Sequence, residues 1–471
     1  MGELLQRNIE NEISTTPSSL STSNSYYLHQ TMEDNINISR RVGYACSVEL
    51  IEAANKLPSN IGRALLVHTL IHAYGLIPTS ESTEDSSEIC EMIPVVPATI
   101  DNLAEFHDRD FIEFLLGLDN MDESDIEDAL DDNISDYEDN NEANHETPHT
   151  HIVPKSALDS AQTHNPRKRN EKYGLQFDCP YFQGISDYVQ VVSGASLACA
   201  DYLIEAHNTS DKSPLAPVAI NWQGGRHHAK RAKCSGFCYI NDAVLCIQKL
   251  RAKFPRILYL DIDLHHGDGV ETAFARSPKV LCMSVHRYGK GFYPGTGRLQ
   301  DRGKGSNAID YTLNIPTKRG FDGESLRKVF DEVIEPWKQW FSPDAVVVTC
   351  GADGLARDEH REWNLTVNDI SSIVNDRVID GWNLPTVVLG GGGYHHTDTA
   401  RCWTYITAGA LGKRESINWN DIPEHSLLEE YAGDAFQFQI DANTSKLTDE
   451  NKGEYLESLI KELKTRLTMR S

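Results

Sequence analysis

The chain has 471 residues, 39% of them hydrophobic, and a formal net charge of −26 at pH 7. That length holds one large or two ordinary domains, and the acidic excess argues against direct DNA binding. Ten cysteines without paired spacing suit a reducing compartment rather than a disulfide scaffold. No apolar run reaches membrane-spanning length, and the polar start lacks a signal-peptide core. Met1-Gly-Glu-Leu-Leu-Gln6 lacks the serine or threonine of a myristoylation signal. These features predict a soluble intracellular protein.

In chain order, residues 1–40 are rich in Ser, Asn and Thr and are expected to be disordered. Thr79 to Glu91 reads as a short acidic loop. Asp119 to Glu146 holds thirteen acidic residues and no lysine or arginine, and a polar stretch then leads to Arg167-Lys-Arg169. Residues 119–170 therefore read as a low-complexity insertion inside one domain. The simpler reading is a solvated loop; the sharper one is a screen or lure for lysine-rich substrates. His145, His149 and His151 within it read as solvated.

Four apolar runs beyond it look like strands, and each ends in polar groups. Ala216 to Trp222 runs into Gln-Gly-Gly-Arg-His-His-Ala229. Arg256-Ile-Leu-Tyr-Leu-Asp261 continues into Ile-Asp-Leu-His-His-Gly-Asp-Gly269. Ala345 to Cys350 is followed by Gly-Ala-Asp353, and Pro385 to Leu389 by Gly390 to Gly393 and Tyr394. In a strand, residues two apart share a face, so Asp261, Asp263 and His265 are expected to project together. Buried charges of this kind must be paired or hold a metal, and open α/β sheets carry ligands at the carboxyl ends of their strands. A lone buried histidine is more often a hydrogen-bonded core group; for His265 the neighbouring aspartates, taken with the family resemblance given below, reverse that preference. Cys234 and Cys238 have no second thiol pair at zinc-finger spacing and read as structural. Asp449 to Met469 reads as an amphipathic helix packed on the body. Strand–helix alternation predicts one large α/β unit with a mainly parallel central sheet flanked by helices.

Over residues 41–440 the chain resembles the class I zinc-dependent histone deacetylases, on the histone deacetylase 8-like and fungal branch. The resemblance rests on Asp178-Cys-Pro180, Gly225-Arg-His-His-Ala229, Ser235-Gly-Phe-Cys-Tyr-Ile-Asn-Asp242, Asp261-Ile-Asp-Leu-His-His-Gly-Asp-Gly269, Gly291-Phe-Tyr-Pro-Gly-Thr-Gly297 and Gly390-Gly-Gly-Gly-Tyr394. It implies a single arginase/deacetylase-like domain over 41–440, followed by a helical segment over 441–471. It also implies hydrolysis of N6-acetyl-lysine by a zinc-activated water. Asp263, His265 and Asp353 match the zinc ligands, and His227 with His228 the acid–base pair. Asp261 and Asp268 match the carboxylates orienting those histidines, and Tyr394 the hydroxyl that polarises the amide. Gly236, Phe237 and Tyr293 match the acetyl-lysine tunnel, Asp178 its rim carboxylate, and Arg63 an arginine of an internal channel. Main-chain oxygens around Asp261, Asp263 and His265, with Ser284 and Val285, resemble a potassium site; Phe274 and Tyr311 resemble part of a second. The implied partners are acetylated histone tails or other acetyl-lysine proteins and a corepressor complex, in the nucleus and also the cytoplasm, with no membrane.

Three positions depart from that pattern. Arg226 stands where tryptophan is common, Tyr293 where phenylalanine is, and His360 where leucine or methionine lines the pocket. All three make the pocket more polar. Arg226 is expected near Arg63, where two guanidiniums favour a carboxylate between them, and it should lower the pKa of His227. Pairing of Arg226 with a local carboxylate is the simpler alternative. The arginine also resembles that of a fungal branch, and this resemblance implies a cohesin subunit as an alternative substrate. Two other classes remain: a two-metal ureohydrolase, which needs further bridging aspartates, and a catalytically silent scaffold, which the intact Tyr394, His227 and His228 oppose.

Overall fold

The computed structural model describes residues 40–78, 89–120, 166–209, 213–440 and 447–470. The amino-terminal segment, most of the Thr79–Glu91 loop and the body of the 119–170 insertion with its three histidines lie outside the described residues.

Among the described residues there are eight strands: β1 (Val42–Ala45), β2 (Glu91–Ile93), β3 (Val218–Asn221), β4 (Ile257–Asp261), β5 (Val280–Arg287), β6 (Thr312–Thr317), β7 (Ala345–Thr349) and β8 (Thr386–Leu389). They make one sheet in the order β2-β1-β3-β8-β7-β4-β5-β6, and every paired neighbour is parallel. A parallel sheet needs helices on both faces, so its strands are buried on both sides and read as continuous apolar runs. Strand β4 illustrates this: Leu258 and Leu260 enter one apolar layer while Ile257 and Tyr259 enter the other.

The helices that matter for the site are α1 (Arg63–Ala73), α2 (Ile185–Asn208), α3 (Asp242–Leu250), α4 (Asp268–Phe274) and α5 (His396–Ala410). Asn241 caps α3, its side chain accepting from the Val244 N–H at 3.1 Å, a common way to satisfy a free helix-end donor. No helix among the described residues is long and apolar enough to cross a membrane.

The sheet order has one functional consequence. Strands β3, β8, β7 and β4 are consecutive neighbours, although residues 222–344 separate β3 from β7 in the chain. Their carboxyl ends therefore deliver His227 and His228, Tyr394, Asp353, and Asp263 with His265 to one place. Ligands in such sheets bind at that edge, where the strand order reverses.

A last helix, α6 (Glu454–Thr468), buries Leu456, Leu459, Ile460 and Leu463. The Trp337 indole N–H donates to the Leu463 carbonyl at 3.2 Å, tying the helix to the body. Leu463→Ala is expected to lower unfolding free energy by about 2–5 kcal/mol, the usual cost of such a cavity. Lys461→Ala on the exposed face should change it by less than about 0.5 kcal/mol. Denaturant titration of both variants checks this; equal small losses would mean that α6 is not packed as described.

Candidate active site

Strand β4 stops at Asp261, whereas alternation through His265 would carry it four residues further. Beyond it the aspartates organise the chain themselves. The Asp263 N–H donates to Asp261 Oδ1 at 3.1 Å, and the His265 N–H to Asp263 Oδ1 at 2.9 Å. This local bonding of a carboxylate to backbone two residues ahead is the usual reason aspartate ends regular structure. It also splits the expected trio. Asp261 turns to the histidine pair, while Asp263 and His265 meet Asp353.

Asp263, His265 and Asp353 are all buried, and one ligand atom from each lies within 4.8 Å of the others. His265 Nδ1 is 2.9 Å from Asp353 Oδ2 and 3.4 Å from Asp263 Oδ1. The second oxygens are held from behind. Asp353 Oδ1 accepts the Leu264 N–H at 2.9 Å, and Asp263 Oδ2 accepts the Gly392 N–H at 2.7 Å. A Cβ on Gly392 would sit 2.2 Å from Asp353 Oδ2, so only glycine permits this approach of the β8 turn. Burial and the adjacent Asp263 charge push Asp353 up. Burial alone would lower His265, but its bonds to Asp263 and Asp353 raise it to about 10. The cluster thus holds a cation's worth of positive charge as a proton, and its hard oxygen and imidazole donors fit a divalent metal.

Beside it, His227 Nδ1 lies 2.8 Å from Asp261 Oδ2 and His228 Nδ1 lies 2.9 Å from Asp268 Oδ1. The two Nε2 atoms face each other at 3.0 Å. Burial opposes charge on both rings, with opposite outcomes. The Asp261 and Asp263 carboxylates overcome it at His227 and raise that ring to about 9. At His228 burial and the neighbouring His227 charge win, lowering the ring to about 3. The pair therefore divides into one charged and one neutral imidazole. The lowering of His227 by Arg226 expected from sequence is overridden by these closer carboxylates.

The remaining predicted residues surround this centre. The Asp178 carboxylate accepts the Gly236 N–H at 2.6 Å. Gly236 itself has φ +57, and a Cβ there would meet the His228 ring at 2.4 Å. The Phe237 and Tyr394 ring centroids are 5.9 Å apart. Tyr293 is edge-on to His228 at 5.0 Å, with its hydroxyl 2.6 Å from the Ser235 hydroxyl. His360 lies between His265 and Tyr394, at 4.9 and 4.8 Å between centroids. Arg63 Nη1 donates to the Gly391 and Gly393 carbonyls at 3.1 and 3.0 Å. Arg226 is buried two residues past Gly224 and donates from Nε to the Gln223 carbonyl at 3.1 Å. Ser284 pairs with Asp261 across β4 and β5, and Val285 beside it is buried. Phe274 closes α4 and Tyr311 precedes β6. Their carbonyls accept the Ser277 and Cys282 N–H groups at 2.8 and 2.9 Å, leaving each a second lone pair.

Four contributors escaped the sequence reading. Phe292 stacks on His265 with 8° between ring planes, at 5.2 Å. Asp358 accepts the Tyr394 N–H at 2.8 Å and faces His360 Nδ1 at 2.9 Å. Lys230 forms an ion pair with the outer oxygen of Asp268. Tyr259 donates to Asp261 Oδ2 at 2.7 Å. Two of them left a signal: Tyr259 precedes Asp261 by two residues on the same strand face, and Phe292 lies within the Gly291–Gly297 motif.

Fold and site together define an α/β protein with a buried, metal-capable centre beside two carboxylate-backed histidines. Residues 57–410 match the histone deacetylase domain. The chain is 36% identical to histone deacetylase 8 of Danio rerio over 434 residues, 92% of this chain and 97% of that protein. It is 35% identical to histone deacetylase 8 of Xenopus tropicalis over 427 residues, 90% of this chain and 97% of that one. With histone deacetylase 1 of Homo sapiens it shares 39% identity over 302 residues, 64% of this chain and 59% of that protein. The chain belongs to the histone deacetylase family.

Because His265 is raised to about 10, a metal must displace its proton at neutral pH. Affinity for a divalent metal should then rise with pH up to about that value, by as much as ten-fold per unit. Calorimetric zinc titration at pH 7, in buffers of different ionisation enthalpy, should show about one proton released per metal. Binding without proton release would mean that His265 is already neutral.

Proposed function

We propose that the protein is a zinc-dependent lysine deacetylase, hydrolysing N6-acetyl-lysine in other proteins to lysine and acetate. One observation carries this reading: the Asp263, His265 and Asp353 donors meet within 4.8 Å beside two imidazoles, each backed by a carboxylate. Three protein ligands leave a coordination position open, the pattern of catalytic rather than structural zinc. Zinc held there supplies Lewis acidity toward water and the acetyl carbonyl.

The chain's own groups account for the proton movements. His228 is neutral and has Nδ1 committed to Asp268, so Nε2 is the atom that accepts a proton from the attacking water. His227, kept charged by Asp261, adds positive potential beside the developing oxyanion. Burial, then the Asp353 and Asp263 charges, push the Tyr394 phenol well up, so it remains a donor to the acetyl oxygen. Delivery of the His228 proton to the lysine nitrogen lets the C–N bond break with an amine as leaving group. Phe237 and Tyr293 suit the apolar lysine stem, and the rim carboxylate of Asp178 suits substrate backbone N–H groups. Potassium near Asp261 and Ser284 belongs to the same reading.

The proposed substrates are acetylated histone tails in the nucleus, reached through a corepressor complex because the acidic chain does not favour DNA. A cohesin subunit is the alternative substrate suggested by Arg226. For a two-metal ureohydrolase a second ion is required, and one metal-capable group is found among the described residues.

Zinc content and acetate release from an acetyl-lysine peptide test the reading together. Asp263→Ala should lose metal and activity in parallel. Tyr394→Phe should keep zinc and peptide binding but lose turnover by roughly two to three powers of ten, the scale of one oxyanion donor. A fully active Tyr394→Phe enzyme would remove the phenol from the mechanism.

A further inference from the structure

The phenol of Tyr394 hangs from a segment with little stiffness of its own. Gly391 and Gly393 have φ +148 and +138, and glycine restricts the backbone less than any other residue. Neighbours hold this turn as far as Gly393, through the Gly392 N–H and the Gly393 carbonyl. Tyr394 comes next, and among the described residues no hydrogen bond holds its hydroxyl. Its placement has to come from its backbone and from what its ring touches.

One carboxylate governs both. Asp358 is 1% exposed, and its Oδ2 accepts the Tyr394 N–H at 2.8 Å and the His395 N–H at 3.3 Å. The His395 carbonyl in turn accepts the Thr399 N–H at 2.9 Å, closing the first turn of α5. Asp358 therefore pins the joint between a loose turn and a 15-residue helix.

The other oxygen faces His360. Asp358 Oδ1 accepts the His360 N–H at 3.0 Å and lies 2.9 Å from His360 Nδ1. The turn closes with the Arg361 N–H on the Asp358 carbonyl at 3.1 Å, and Arg361 holds φ +50. Residues other than glycine seldom occupy that region, and such strain persists only where the surroundings hold it. The anchored His360 ring lies 4.8 Å from the Tyr394 ring and 4.9 Å from that of His265, between centroids. An aliphatic side chain at 360 could fill the same space but would offer no ring nitrogen to Asp358.

We propose that Asp358 and His360 are positioning residues for Tyr394: the carboxylate fixes its backbone and the imidazole braces its ring. The phenol is then in place before substrate arrives. A donor to a developing oxyanion acts fully only when it is held beforehand, and a displacement of about 1 Å can cost on the order of a hundred-fold in rate. The consequence for turnover rests on the deacetylase reading; the placement of the ring does not.

The test uses the full zinc-loaded chain with 3-fluorotyrosine at position 394, whose fluorine resonance reports ring placement without turnover. One sharp signal is expected in the parent. Asp358→Asn and His360→Leu should each shift or broaden it with zinc content unchanged. Asparagine keeps the shape of aspartate but turns an N–H against one pair of these donors. Hydrolysis of an acetyl-lysine peptide gives the second readout. Asp358→Asn should lower kcat about ten- to hundred-fold with KM within about two-fold, and His360→Leu should lower kcat about three- to ten-fold. In a Tyr394→Phe background both losses should shrink to about two-fold or less, because no hydroxyl is left to position. Should Asp358→Asn not fold, His360→Leu carries both readouts. Losses undiminished in Tyr394→Phe, or an unchanged fluorine signal in the folded variants, overturn the proposal. Altered signals in variants of a parent that releases no acetate would refute the deacetylase reading and leave the positioning pair standing.

Discussion

Two carboxylates and an imidazole are held in contact, almost wholly out of water, at the carboxyl edge of the sheet. Ionised groups in such a place cost several kcal/mol each unless neighbours compensate them, and much of the surrounding structure is that compensation. Backbone N–H groups of Leu264, His265 and Gly392 point at the aspartates. The turn after β8 is glycine because any side chain at Gly392 would collide with Asp353. The ring of Phe292 closes over His265. Together these choices offset the buried charge and leave a set of oxygen and imidazole donors that fits a divalent cation.

The same economy of charge governs the histidine pair. Its rings are chemically identical and 3.0 Å apart at Nε2, so both cannot carry a proton. Their carboxylates differ in setting. Asp261 is wholly buried, with its oxygens receiving Tyr259, the Asp263 N–H and His227. Asp268 is nearer the surface and shares its charge between His228 and Lys230. His227 lies between two carboxylates, Asp261 and Asp263, whereas His228 has Asp268 and faces the charge of His227. That asymmetry leaves one ring charged and the other neutral.

Positive charge is arranged around the centre with similar care. Arg63 lies over the Trp403 ring at 4.9 Å, and Trp403 stacks on Trp222 with 6° between planes. An aromatic face accepts a guanidinium without neutralising it. The arginine is thereby fixed in orientation yet left with N–H groups to offer, on the side of the glycine turn away from the aspartates.

Much of this was already legible in the chain. The apolar runs at 216–222, 256–261, 345–350 and 385–389 announced buried parallel strands, because only a sheet covered on both faces tolerates such continuous hydrophobicity. The polar groups at their ends announced a site, and the ordered motifs announced the family to which the chain belongs. What the sequence by itself determined was therefore which side chains carry charge and which segments are strands. It could not determine that β3, β8, β7 and β4 stand side by side, since β3 and β4 are successive strands in sequence and two others come between them in space. Nor could it end β4 at Asp261, which required knowing that Asp261 and Asp263 would capture the next backbone N–H groups. Asp358 and Lys230 left no periodic or motif signal, and Phe292 stood in a quoted motif without any sign that it would face His265; their parts depend on distances across the fold. The unpaired N–H groups of Arg63, and the bonding of Asp242 to the Arg226 backbone rather than to its guanidinium, were likewise decided by tertiary packing, because whether a buried charge has a partner is a property of neighbours in space and not of neighbours in the chain.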